Sequence, residues 1–190
     1  MGYLRGFIPW IASGVISSFD WRWGAVAGLV TGLALFAQDR RRGVAPDAMI
    51  LELSGSLFFA VVGTVALASP DSPLKTYDDA LSFAWLALTA WGSLAVRHPF
   101  TLGIARRRTP REYWELPGFI AVNNVITAVW GAGFTFICAA LAVCHLTGAP
   151  GWAGIAAHAA GLAGPAAFTS RYPARVQARL QAAGAAPVEV

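Results

Sequence analysis

Apolar runs of about 14 to 26 residues, broken by short polar clusters, follow one another along almost the whole of this chain. A helix needs roughly 20 mostly apolar residues to cross the hydrocarbon core of a bilayer. Only helices and closed barrels satisfy their own backbone hydrogen bonds there. The runs cover residues 3–19, 24–37, 48–68, 77–96, 119–144 and 152–168. They predict an all-α fold: a polytopic transmembrane helix bundle of six spans, with a short interfacial segment over 99–118. Charged residues make up 13% of the 190 residues, about half the usual share of a soluble domain. A lipid-facing surface accounts for the deficit. One helical domain over 1–170 and a cytoplasmic tail over 171–190 fill the chain, leaving no length for a separate soluble catalytic module.

Local signals bound the runs. The first is short and carries Pro9 near its start. If it does not cross, five spans remain and only the N-terminus changes side. Arg5 lies near its start and no small-residue cleavage site follows, so it reads as a retained span rather than a removed signal. Trp21 and Trp23, beside Asp20 and Arg22, read as an interfacial turn, because indole rings prefer the headgroup level. Gly24, Gly28 and Gly32 recur every four residues in the second run, a face that lets another helix approach closely. Asp47 reads as the cap of the third run, and Thr76 with Asp79 as the start of the fourth. Thr109-Pro110-Arg111-Glu112 has the pattern of a helix start. With Tyr113 and Trp114 beside it, that helix is expected at the headgroup level. The fifth run is longer than a bilayer requires, so tilt is expected.

Basic residues orient the bundle. Thirteen of the fourteen are Arg, and they fall in clusters between runs. With the N-terminus inside, twelve lie on the inner side: Arg5, Arg40 to Arg42, Arg97, Arg106 to Arg108, Arg111, Arg171, Arg175 and Arg179. The outer turns hold only Arg22 and Lys75, with Asp20, Asp71, Asp78 and Asp79. This is the positive-inside pattern. It predicts a multi-pass protein of the inner, plasma membrane with both termini cytoplasmic, and it gives no reason to expect nucleic acid as a partner.

Several segments of the inner loop and its flanks stand out. They are Arg97-His98-Pro99-Phe100-Thr101, Ala105-Arg106, Pro110-Arg111-Glu112-Tyr113-Trp114 and Asn124-Val125-Ile126-Thr127-Ala128-Val129-Trp130-Gly131. Together they resemble a group of small bacterial polytopic membrane proteins, itself distantly similar to the intracellular septation protein A family. The resemblance covers about residues 85–135. It brings no catalytic residues. It implies a bacterial inner-membrane protein with a link to envelope or division machinery.

Polar groups inside spans are costly and therefore functional candidates. Glu52 lies about a turn into the third run, and Asn123 and Asn124 about a turn into the fifth. With Ser56, Arg97, His98 and Thr127 they are the candidates for a polar pocket open to the cytoplasm. Arg106, Arg107, Arg108 and Arg111 would form its rim, where Arg donors suit a phosphate-bearing lipid. The alternative is structural: Glu52 pairs with Arg97, the Asn residues bond between helices, and the Arg residues only set topology.

Other groups point less far. Cys138 and Cys144 read as buried thiols. His145 and His158 flank one turn at different depths, so they do not suit one metal or haem, and His158 is expected to bond within the bundle. Asp78-Asp79 reads as cap and dipole residues. No phosphate loop, nucleophile elbow or metal-binding motif is found. The leading expectation is a non-enzymatic interaction, scaffold or lipid-binding protein with no cofactor. Its expected partners are the bilayer, an anionic lipid, and a second copy or another membrane protein. A membrane-embedded enzyme acting on a lipid or isoprenoid phosphate is the first alternative, and a small oligomeric transporter or channel the second.

Overall fold

The computed structural model describes residues 3–44, 46–107 and 109–182. Arg108 and the last part of the tail lie outside them, as does the side chain of Asp47. Seven α-helices and no strand occur among the described residues: α1 (Tyr3–Ser17), α2 (Trp21–Arg41), α3 (Ile50–Ala68), α4 (Asp78–Ala95), α5 (Phe100–Arg106), α6 (Pro117–Thr147) and α7 (Gly151–Ala182). Short 3-10 turns at Pro46–Met49, Pro73–Tyr77 and Arg111–Tyr113 join them. Six long helices thus stand where the apolar runs are.

Caps and breakers explain the ends. Asp20 accepts from the Arg22 amide at 2.9 Å and starts α2. The Arg22 guanidinium also binds it, and these hydrogen bonds hold the Asp20 carboxyl at about 2, below its ordinary 3.8. Trp21 and Trp23 part company there. Trp21 is buried and donates to the Pro70 carbonyl at 2.9 Å, whereas Trp23 is exposed. Arg97 ends α4 in the left-handed region, at φ 59°. Pro99 then opens α5, and the two helices bend by 79° when the turn before α4 is included. Gly148, also left-handed, ends α6, and the Ala149 amide reaches back to the Cys144 carbonyl.

Two expected helix starts fall elsewhere. Ser72, not Thr76, caps the turn that leads into α4. Thr109 does not begin a helix; its hydroxyl bonds back to Ala105, and only a 3-10 turn follows. The expected interfacial segment is helical earlier, as α5. There Phe100, Thr101, Leu102, Gly103 and Ile104 are buried against α6 and the turn before α3, not laid on a surface. The reason is composition: residues 100–105 carry no charge, and the charges of the segment begin only at Arg106.

The main helix pairings are α1 with α2, α2 with α3, α4 with α6 and α6 with α7. Phe7 of α1 stacks on Trp130 of α6 at 5.3 Å, and Trp130 lies against the fully buried Phe134. The glycine seam on α2 is real packing. A Cβ at Gly28 would lie 2.6 Å from the Phe59 ring, and one at Gly32 would lie 2.9 Å from Ser56 Oγ. Large apolar side chains also point outward on every long helix, among them Ile11, Val30, Leu57, Leu88, Phe136 and Ile155. A water-facing monomer rarely carries so extensive an apolar surface.

Length and composition qualify α3 and α6 as membrane spans, or three spans if α4 and α5 count as one bent crossing. That is fewer than the six expected. At 15 residues α1 is about 22 Å long, short of a core of roughly 30 Å. In α2 the charges Arg22, Asp39, Arg40 and Arg41 lie inside the helix. α7 is rich in Ala and Gly, has Pro165 and Pro173 within it, and runs on to Ala182 through the start of the expected tail.

Gly28→Leu is expected to destabilise the protein by about 1–3 kcal/mol by overpacking. Gly92→Ala, with nothing within 4 Å of a new Cβ, is expected to be neutral or stabilising by up to about 1 kcal/mol. Thermal unfolding in detergent checks both. Equal losses would contradict the seam.

Candidate functional site

The start of α1, the end of α2, the start of α3 and the end of α5 meet at one end of the bundle. Alternating helix direction brings them there. A close approach completes the meeting: a Cβ on Gly103 of α5 would lie 2.5 Å from the Ala48 backbone. Glycine at 103 lets α5 press onto the turn before α3, and that approach delivers Arg107, the residue just beyond α5.

Arg107 is the hub of the site. Its Nη1 donates to Asp39 Oδ2 at 2.9 Å. Its Nη2 donates to the Ala48 carbonyl at 2.6 Å and to Glu52 Oε1 at 3.2 Å. Asp39, 1% exposed, also pairs through Oδ1 with Arg5 Nη2 at 2.8 Å. Glu52 is 5% exposed. Two buried carboxylates on α2 and α3 are thus held by arginines from α1 and the end of α5. Burying such charges is tolerable because they are paired and hydrogen-bonded.

In front of this network lies a cleft of about 530 Å³. Its described lining holds five arginines, Arg5, Arg42, Arg106, Arg107 and Arg111, against one carboxylate, Asp39. Trp114 closes one side. Its Nε1 donates to the Thr109 carbonyl at 2.8 Å. The Arg106 and Arg111 guanidinium groups lie 5.4 and 5.6 Å from its ring centroid. The indole so presents the two guanidinium groups at the cleft. An excess of guanidinium donors in a concave site suits a phosphate or carboxylate.

The residues predicted from sequence separate into three groups. Glu52 joins the ion network, and its partner is Arg107 rather than Arg97. Ser56 bonds the Glu52 carbonyl at 2.8 Å and faces α2. Asn123 and Thr127 are fully buried between α5 and α6. Thr101 donates to the Asn123 carbonyl at 3.0 Å and lies 2.7 Å from the Thr127 hydroxyl. Asn123 Nδ2 donates to the Phe119 carbonyl at 2.9 Å, while its Oδ1 meets no donor among the described residues. Arg97, His98 and Asn124 are exposed, and Arg97 makes no ion pair among the described residues. The seven residues therefore do not line one pocket. Of the rim, Arg106, Arg107 and Arg111 share the cleft.

Sequence reasoning missed Asp39, Arg5, Arg42 and Trp114. Asp39 carried a signal: a lone acid directly before three Arg residues, within reach of an apolar run. Arg5 and Arg42 were legible only as topology charges. His158 does bond within the bundle, from Nδ1 to the Gly154 carbonyl at 2.8 Å, and His145 packs edge-on to Tyr77. No family model, curated protein or solved structure matches the chain, so the roles of these residues are argued from their geometry.

Arg107→Gln leaves Asp39 and Glu52 short of their shared cation. It is expected to destabilise the protein by about 3–5 kcal/mol. Arg97→Gln, at an exposed unpaired position, is expected to stay within about 0.5 kcal/mol. A melting comparison of the two variants would reveal equal effects if Arg107 were not the hub.

Proposed function

We propose that this protein is a membrane-embedded, non-enzymatic helical module that binds a phosphate-bearing anionic lipid headgroup in its arginine cleft. The observation that carries the proposal is the lining of that cleft: five arginines and an indole against one carboxylate. Arg107 is oriented by buried acids, so its guanidinium is held in place before any ligand arrives, which lowers the cost of binding. The cleft lies at the basic end of the bundle, where a headgroup would meet it if that end faces the cytoplasm.

Six crossings with both termini cytoplasmic belong to the same proposal. The order and alternation of the six long helices support it, as do the outward apolar side chains. α1, α2 and α7 would cross as parts of a packed bundle rather than as independently apolar spans. Placement in a bacterial inner membrane, with a role near envelope or division machinery, rests on the resemblance of residues 85–135 to a group of small bacterial membrane proteins that is distantly similar to the septation protein A family. An enzymatic reading asks Glu52 to reach a substrate. Its carboxylate is buried, held by Arg107, and outside the cleft lining, and that favours binding over catalysis.

Protein purified in mild detergent and studied by native mass spectrometry is expected to retain phosphatidylglycerol at least fivefold over phosphatidylcholine. Arg106→Gln with Arg111→Gln is expected to remove the preference. Equal retention of both lipids by the parent protein would overturn the headgroup assignment. For topology, single cysteines at Ser72 and Ala149 should label from the face opposite to those at Thr109 and Ala178, after Cys138 and Cys144 are replaced by Ala. Labelling of Ser72→Cys and Ala178→Cys from the same face would overturn the six-span arrangement.

A further inference from the structure

A second cavity, of about 360 Å³, lies deeper in the bundle between α1, α4, α6 and α7. Its character is the reverse of the arginine cleft. Its described lining holds no Lys or Arg. Five aromatic rings line it: Phe7, Trp10, Phe83, Trp130 and Phe134. Asp78 and Asp79 of the first turn of α4 lie in its wall, at the end of the bundle away from the arginine cleft.

Two further polar groups line this space. Ser13 lines the cavity, is 7% exposed, and makes no hydrogen bond among the described residues. Its oxygen can accept there as well as donate. His158 also lines it. The Gly154 carbonyl can only accept, so the 2.8 Å contact fixes the proton on Nδ1. In the neutral ring Nε2 is therefore an acceptor, and the ring packs edge-on against Phe83 at 5.0 Å.

Aromatic faces attract cations through their quadrupole, more strongly where water is excluded. Carboxylates and lone pairs add to this, and they repel anions. The apolar wall in turn asks for a ligand with a large hydrocarbon or aryl body. We infer that this cavity is a binding site for a lipophilic organic cation, held by Asp78 and Asp79 and by the rings of Phe7, Phe83 and Trp130. The site is independent of the arginine cleft, and it takes ligands of the opposite charge.

Tetraphenylphosphonium and tetraphenylborate have the same shape and opposite charge. Equilibrium dialysis of the full chain in neutral detergent, with empty micelles as the blank, measures each. The phosphonium is expected to bind saturably at one per chain, at least tenfold more tightly than the borate. Asp78→Asn with Asp79→Asn is expected to weaken it at least tenfold. Gly14→Trp supplies a second arm. Gly14 lines the cavity in α1 and has nothing within 4 Å of a new Cβ. Replacing a glycine inside a helix favours the helix, so this variant should fold while its indole obstructs the site. It too is expected to lower phosphonium affinity at least tenfold, with an unchanged melting temperature. Equal binding of both ions overturns the proposal, since an acyl chain or simple partition would explain it. Phosphonium binding unaffected by Gly14→Trp also overturns it.

Discussion

A single guanidinium holds the basic end of this bundle together. Arg107 reaches a carboxylate on α2, a carbonyl beside α3 and a second carboxylate on α3. Arg5 adds α1 through Asp39. Four chain segments that are distant in sequence are thus fixed to one another by charge-assisted hydrogen bonds. Such bonds are directional, and here they are buried, so they set register where apolar packing alone would tolerate slippage. The cleft in front of the network inherits its shape from them.

The network depends on close packing at one point. Gly103 sits where α5 meets the Ala48 backbone. A larger residue there would push α5 outward and withdraw Arg107 from both acids. The bend between α4 and α5 serves the same end. Arg97 adopts the left-handed conformation, His98 reaches back to the Ser93 carbonyl, and Pro99 starts the new helix. The Ser93 hydroxyl accepts from the Phe100 amide at 3.2 Å, so the break leaves fewer orphan backbone groups.

The two cavities divide the molecule by charge. Arginines face the cleft at one end, and carboxylates with aromatic rings face the chamber deeper in the bundle. The positive-inside pattern already separates the two signs along the sequence. Folding turns that linear separation into two concave sites, because helices that alternate in direction collect alternate loops at each end. Some of the charges that orient the chain, Arg5 and Arg42 among them, are then also site charges. That is why Arg5 and Arg42 could be read as orientation signals without their place in a site being visible.

Helix order and the approximate place of each long helix were legible in the chain. Apolar run length and the polar turn at Asp20 to Trp23 act within a few residues of where they are written, whereas the cap on Asp20 and the new helices that open at Pro99 and Pro117 emerge only in the fold. The glycine face of α2 was legible too, since a spacing of four marks one side of a helix. Which charges pair was not legible. Glu52 and Arg97 are plausible neighbours along adjacent helix ends, yet the bend after α4 turns Arg97 outward and carries Arg107 in. Nor did hydrophobicity separate a surface helix from a buried one over residues 100–106, because a short apolar run suits either. The all-helical bundle, its basic end and its small-residue seam follow from local and additive effects that are written in the residues. The ion network, the scattering of the expected pocket and the two cavities arise in the folded molecule, because they depend on helix crossing and on one tight approach between residues 55 positions apart.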